Sequence, residues 1–352
     1  MVVSASQEQL KMLSEKIKSV KIPEDLVETV DIRLTQLGKL TASASFLPEI
    51  DRISRYIEWI TGLPWFTRTQ DNLDLVHAKE ILDKNHYGLS EIKDRILEYI
   101  SVMKLKQEEG KSQGMETMRA PALCFVGLVG TGKTTIAASI AQALGRQFVR
   151  IPFGGMEDPL DLRGQSRVQP EAEPGKIIKA LKSAKAKNPV ILLDEVDRVT
   201  DLGRASIMGV LVELLDPEQN HAYVDHYIDY PVDLSEVLFV ATANNTIHIA
   251  TAVLDRLEPI SMPSYSDAEK ITIGRDYMFP KILVDSGIPD GDLTLSEDVW
   301  PQIVRPLGFD AGTRTLERTI RGIARKVARL IVEGKGQKYV ITPQNVKEFL
   351  PR

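Results

Sequence analysis

Four short, nearly unbroken apolar runs constrain this chain most: ALCFVG at 122–127, FVRIPF at 148–153, PVILLDEVD at 189–197 and VLFVATANN at 237–245. Strands apolar at almost every position must be covered on both faces. Their alternation with helical spacing selects an α/β fold, a parallel sheet flanked by helices. Residues 5 to about 110 are expected to be helical. Leu10, Leu13, Ile17 and Val20 share one face, Pro23 breaks the run, and Leu26, Val30, Leu34 and Leu37 resume it. Ile50, Ile53, Ile57 and Ile60 mark a further helix, another begins near Asp74, and Ile92, Ile96 and Ile100 mark the next. The polar stretch 107–120 reads as a loop or linker. From Ser266 onward the strands fade, and Leu316, Ile320, Ile323, Val327 and Leu330 stripe a long helix. The expected division is a helical arm at 1–80, an α/β domain at 81–265 and a small helical domain at 266–352.

Composition narrows the class. At about 150 residues per domain, 352 residues suit two or three domains. The only cysteine, Cys124, excludes an intramolecular disulfide and a cysteine-cluster metal site, and suits a reducing compartment. No apolar run reaches the roughly 18 to 20 residues that cross a bilayer, and MVVSASQEQLKMLSEK does not read as a secretory signal. A cytoplasmic protein without a membrane partner is expected. A formal charge of −5 gives no general reason to bind nucleic acid.

Chemistry concentrates at strand ends. Gly127-Leu128-Val129-Gly130-Thr131-Gly132-Lys133-Thr134, with Thr135 next, follows one apolar run and opens a helix. In that context it is a phosphate-binding loop: glycines let successive N–H groups face one anion, and the helix adds its positive end. Lys133 would reach the β- and γ-phosphates of ATP, and the Thr134 hydroxyl would contact Mg²⁺. Asp194 and Glu195 close another run. Asp194 would hold Mg²⁺ and Glu195 would orient or deprotonate the attacking water. Asn244 ends the fourth run, where an amide could touch both that water and the γ-phosphate. Arg256 could reach a neighbouring subunit's nucleotide, an arrangement worth roughly 10³ to 10⁵ in rate.

Taken together, GLVGTGKTT, LLDEVDR, ELLDPEQN, DHY, FVATANN and LDRLE resemble the AAA+ ATPase module of the Lon family of ATP-dependent proteases. GLPWF and HYGLSEIKDRILEYI upstream and AGTRTLER downstream are similar too, so the resemblance runs to about Glu333. It implies an AAA+ fold with an N-terminal helical arm and a C-terminal lid, binding ATP or ADP with Mg²⁺. It implies a homo-oligomer, a hexameric ring, that unfolds and translocates unfolded or damaged polypeptides in protein quality control. By position, Asn244 looks like sensor 1, Arg256 like the arginine finger and Arg314 like sensor 2. His86, Tyr87 and Gly88 match the adenine side. His221 and His226, at the DHY segment, read as structural.

The chain departs from the family pattern in places. Leu128 and Val129 stand where two prolines are usual, and binding is expected to survive because those positions need not donate to phosphate. The first pore loop usually carries an aromatic followed by an aliphatic residue, whereas the matching positions here are Gln169 and Pro170. No aromatic lies between Phe153 and Tyr223. Either the grip is polar and weaker, or Val168 supplies the apolar contact, or the loop has lost its function. The second pore loop falls within Thr200–Arg204, also without an aromatic. Nothing resembles the motif around the family's peptidase serine, so the chain is expected to hydrolyse ATP and cleave no peptide bond. Two other readings stay open. Arg314, Arg318, Arg321, Arg325 and Arg329 give one basic helix face that could contact nucleic acid. The altered pore loop would also suit a non-hydrolysing nucleotide-binding scaffold.

Overall fold

The sheet expected from the apolar runs forms. In the computed structural model, which describes residues 2–39, 46–113, 121–305 and 312–350, the strands are β1 (Ala122–Val126), β2 (Phe148–Pro152), β3 (Val190–Asp194), β4 (Tyr223–Val224), β5 (Pro231–Val232), β6 (Leu238–Ala243) and β7 (Leu257–Ser261). Five of them form a parallel sheet in the order β2-β3-β6-β1-β7. Register runs from Phe148↔Val190 to Pro152↔Asp194 and from Val190↔Leu238 to Leu193↔Ala241. Every residue of β3 and β6 is buried, as strands covered on both faces require. Each large apolar side chain so placed contributes about 1.5–3 kcal/mol relative to exposure.

Contacts divide the chain into two compact units. The first comprises Met1–Leu73, Met103–Cys124 and Leu144–Pro259. It contains helices α1 (Val2–Ser19), α2 (Glu24–Gly38) and α3 (Phe46–Gly62), whose Ile17, Val30, Ile57 and Ile60 are fully buried. The Tyr56 hydroxyl of α3 donates to Ile228 O at 3.0 Å. A polar knot ties residues 69–71 to the start of β3. Buried Asn188 accepts from Thr69 N–H (2.9 Å) and donates to Thr69 O (2.9 Å) and Asp71. Asp71 in turn receives the Arg146 guanidinium through two bonds, at 2.8 and 2.6 Å.

The second unit comprises Asp74–Val102, Phe125–Ala143 and Ile260–Arg352. Helix α4 (Leu75–Asn85) is capped by the Asp74 carboxylate, which accepts Val76 N–H at 2.9 Å. Helices α5 (Ser90–Gln113) and α6 (Lys133–Leu144) follow, in this unit as far as Val102 and Ala143 respectively. Helix Arg314–Val332 buries Leu316, Ile320, Ile323 and Val327 against Trp300, Val299 and Ile303.

Two expectations are corrected. Residues 107–113 continue α5 instead of starting a loop, because a single glycine costs a helix only about 1 kcal/mol. The rest of that stretch, 114–120, lies outside the described residues. Strands also persist after Ser266. β8 (Leu293–Leu295) pairs in parallel with β9 (Tyr339–Ile341), and three residues are too few to show an alternation.

Candidate nucleotide site

In the second unit, the phosphate loop has the backbone its glycines predict. Gly130 and Gly132 sit at φ +84° and +95°, which side-chain-bearing residues rarely adopt. A Cβ on Gly127 would lie 2.6 Å from Met262 O. Thr131 is buried, donates to Leu128 O at 2.9 Å, and accepts the Tyr265 hydroxyl on its own carbonyl at 3.3 Å. Lys133 is also buried, its ammonium donating to Gly127 O and, at 2.9 Å, to Leu128 O. Thr134 stands in the first turn of α6 and Thr135 donates to Gly132 O. Leu128 and Val129 are exposed. A loop with left-handed glycines and a buried ammonium at a helix start suits a polyphosphate anion.

His86, Tyr87 and Gly88 follow α4 and join this same unit. The His86 ring is buried, with Nε2 2.9 Å from Ser139 Oγ on α6. Burial, and secondarily the Lys93 charge, lower its pKa to about 4, so the imidazole is neutral at neutral pH. Lys93 donates to His86 O (2.7 Å) and Asp83 (2.8 Å), fixing the turn. Tyr87 packs edge-on against Tyr277, centroids 6.3 Å apart. Arg314 opens its helix beside the loop, because Thr313 N–H and hydroxyl both donate to Gly130 O, at 2.9 and 3.2 Å. The approach is so close that a Cβ on Gly312 would lie 2.4 Å from Val129 O.

In the first unit, Asp194 ends β3 almost completely buried. One oxygen accepts Arg150 Nε at 2.6 Å and the other accepts the Thr242 hydroxyl. Thr242 Oγ1 in turn accepts Glu195 N–H at 2.9 Å. Glu195 adopts left-handed φ 58°, ψ 49°, a conformation costing on the order of 1–3 kcal/mol for a non-glycine residue. It turns the chain away from the strand, and the Glu195 carboxylate pairs with Arg198 at 3.4 Å. Asn244, just past β6, donates to Asp197 at 3.3 Å. Arg256 Nη2 meets Asp216 at 2.7 Å and Nη1 donates to Ala252 O at 2.9 Å. The Arg256 bond, chiefly, holds the Asp216 carboxyl below the usual carboxylate range.

The loop bearing Val168, Gln169 and Pro170 is also in the first unit, and all three are exposed, Val168 to 79%. Its base is closed by Asp225, which accepts Gly175 N–H at 2.8 Å, while Gly164 and Gly175 pass too close for a Cβ. Arg167 lies over the Tyr56 ring (4.1 Å) and pairs with Asp229 at 3.0 Å. In the second candidate pore segment Leu202 is 90% exposed. His221 and His226 are exposed. Charges on the arginine face are tied locally: Arg321 pairs with Glu317 and Asp285, and Arg329 with Glu333.

Thr242, Arg150 and Asp216 escaped the sequence reading. Thr242 had a visible signal, since a hydroxyl inside a buried apolar strand must find a partner.

The second unit thus joins the phosphate loop to His86, Tyr87 and Arg314, while the first carries Asp194, Glu195, Asn244 and Arg256. Residues 123–264 match the ATPase family associated with various cellular activities (AAA), so the class is an AAA ATPase. Residues 284–340 match the Lon protease AAA+ ATPase lid domain. Lon protease of Lawsonia intracellularis is 43% identical over 345 residues, 98% of this chain and 40% of that protein. Lon protease of Bacillus thuringiensis is 42% identical over 338 residues, 96% of this chain and 41% of its own. Lon protease 2 of Thermus thermophilus is 40% identical over 347 residues, 98% and 43% respectively. The chain carries the AAA+ ATPase module of the Lon protease family. It spans about two fifths of the length of these curated relatives. Among the described residues no helix is long and apolar enough to cross a membrane.

Proposed function

We propose that this chain is the Mg²⁺-ATP-driven unfolding and translocating module of a Lon-type protease, working as a ring of identical subunits. The observation that carries the translocation reading is Val168, an aliphatic side chain 79% exposed on a loop pinned at its base. Val168 is the apolar contact offered to an unfolded polypeptide in place of the usual aromatic, with Gln169 and Pro170 beside it and Leu202 on the second loop. The proposed division keeps a helical arm at 1–80, a nucleotide-binding domain at 81–265 and a lid at 266–352.

In this reading ATP lies on the loop Gly127–Thr134, its adenine against His86, Tyr87 and Gly88. Lys133 takes the β- and γ-phosphates, and Thr135 flanks the loop. Thr134 and Asp194 would hold Mg²⁺, and their hydroxyl and carboxylate oxygens are the hard donors it prefers. Once bound, the ion neutralises charge on the transferring phosphoryl group. Glu195 accepts a proton from the attacking water, and Asn244 orients that water. Arg314 contacts the γ-phosphate within the subunit, and Arg256 does so from the neighbour.

ATP turnover measured with and without an unfolded polypeptide tests the reading. Stimulation by polypeptide is expected, with loss of that stimulation in Val168→Asp. Equal stimulation of parent and variant refutes the proposed grip, and Glu195→Gln turning over normally refutes the assigned base.

A further inference from the structure

The cation proposed to act on a neighbour's nucleotide is held by an anion of its own chain. Asp216 ends the helix Arg204–Leu215, and its carboxylate is immobilised before it meets Arg256. Oδ1 accepts Glu218 N–H at 2.9 Å and Oδ2 accepts Gln219 Nε2 at 3.0 Å. The backbone of Arg256 is held as firmly: Ala122 N–H donates to its carbonyl and its own N–H donates to Val253 O, both at 3.1 Å. Between these anchors the guanidinium spends one Nη2 proton on Asp216 and one Nη1 proton on Ala252 O. Among the described residues the second proton on each of these nitrogens has no acceptor, leaving it for one from outside, while Nε–H is buried without a partner. The Arg256 side chain is 28% exposed, partly covered and still within reach of solvent.

We infer that Asp216 is a positioning residue for the arginine finger, fixing the Arg256 guanidinium in the orientation in which it meets the nucleotide of an adjacent copy. The inference rests on Arg256 acting in trans. A long arginine side chain left to itself must lose its rotamer freedom at each encounter with the phosphate. One already clamped by a rigid carboxylate has lost it during folding, so the clamp acts on turnover more than on ATP affinity.

Subunit mixing separates this role from a local structural one, because each subunit of such a ring lends its finger to one neighbour only. Asp216→Asn is expected to lower kcat by at least about tenfold, with KM and fluorescent-nucleotide affinity close to the parent's. Mixing it in equal amounts with Glu195→Gln, whose own sites are inactive but whose finger is intact, should restore roughly a quarter of the parental rate. Arg256→Ala is mixed with Glu195→Gln in parallel. Asp216→Asn with parental kcat overturns the inference. So does a loss that Glu195→Gln does not restore while the Arg256→Ala loss is restored, which leaves the finger reading standing. If neither is restored, Arg256 does not act in trans and both readings fall.

Discussion

Substituting Gly312 by alanine should slow ATP turnover far more than it weakens ATP binding. The added Cβ would stand 2.4 Å from Val129 O and 2.5 Å from Gly130 C, both backbone atoms that cannot rotate aside. A carbon settles against a carbonyl oxygen at about 3.3 Å, so the two segments must part by roughly 0.9 Å. Thr313 N–H and hydroxyl now reach Gly130 O at 2.9 and 3.2 Å, and the same displacement takes both past a useful hydrogen-bond distance. Arg314, the next residue, moves with them. A misplacement near 1 Å costs on the order of 10²-fold in rate, or about 2.7 kcal/mol of barrier. The phosphate loop keeps its glycines and Lys133, so nucleotide affinity should stay near the parent's. Steady-state turnover gives kcat and KM, and titration with a fluorescent ATP analogue gives the affinity. Parental kcat in Gly312→Ala would refute the reasoning, and loss of affinity equal to the loss of kcat would place the effect on the loop itself.

Two further outcomes concern stability. With His86 titrating near 4 when folded against about 6.5 when unfolded, the unfolded chain binds more protons between those values. The stability His86 contributes is therefore complete above pH 6.5 and is lost as pH falls toward 4, by up to about 3 kcal/mol. Denaturant midpoints across that window should fall less steeply in His86→Gln, and parallel slopes would show that another group carries the acid limb. Asp71→Ala should destabilise the first unit by about 3–5 kcal/mol, since Arg146 and Asp71 are each only 7% exposed and the variant removes the carboxylate that receives two guanidinium bonds, keeping only the Nη1 bond to Glu236 O at 3.0 Å. Chemical denaturation measures this, and a loss below about 1 kcal/mol would put the pair in the class of solvated ion pairs.

What could be read without coordinates follows from how each feature is encoded. β3 and β6 announce themselves because burial on both faces forces apolar residues at nearly every position. The phosphate loop and the Asp194–Glu195 turn are legible because their chemistry is local in sequence. Pairings across long separations are not: Asp194 with Arg150 and Thr242, Arg256 with Asp216, and Arg146 with Asp71 depend on which strands and helices become neighbours. The two-residue strands β4 and β5, and the three-residue β8 and β9, are shorter than any window in which a period can be recognised. Gly312 and Thr313 were visible within the resemblance, but the need for a bare backbone there arises only from contact with Val129 and Gly130.

The closure beneath the Val168 loop separates what sets the loop's shape from what its tip presents to solvent. Asp225 is fully buried and receives the N–H groups of Gly175, Tyr227 and Ile228, and Gly164 and Gly175 cross with no room for a side chain. Those residues set the loop's footing, while Val168, Gln169 and Pro170 stand exposed beyond it. The tip is therefore an exchangeable cassette: its residues can be swapped between chains, aromatic for aliphatic or polar, with little consequence for folding. On the proposed reading of this loop as a polypeptide grip, substrate preference there could drift, or be engineered, without disturbing the buried closure beneath it.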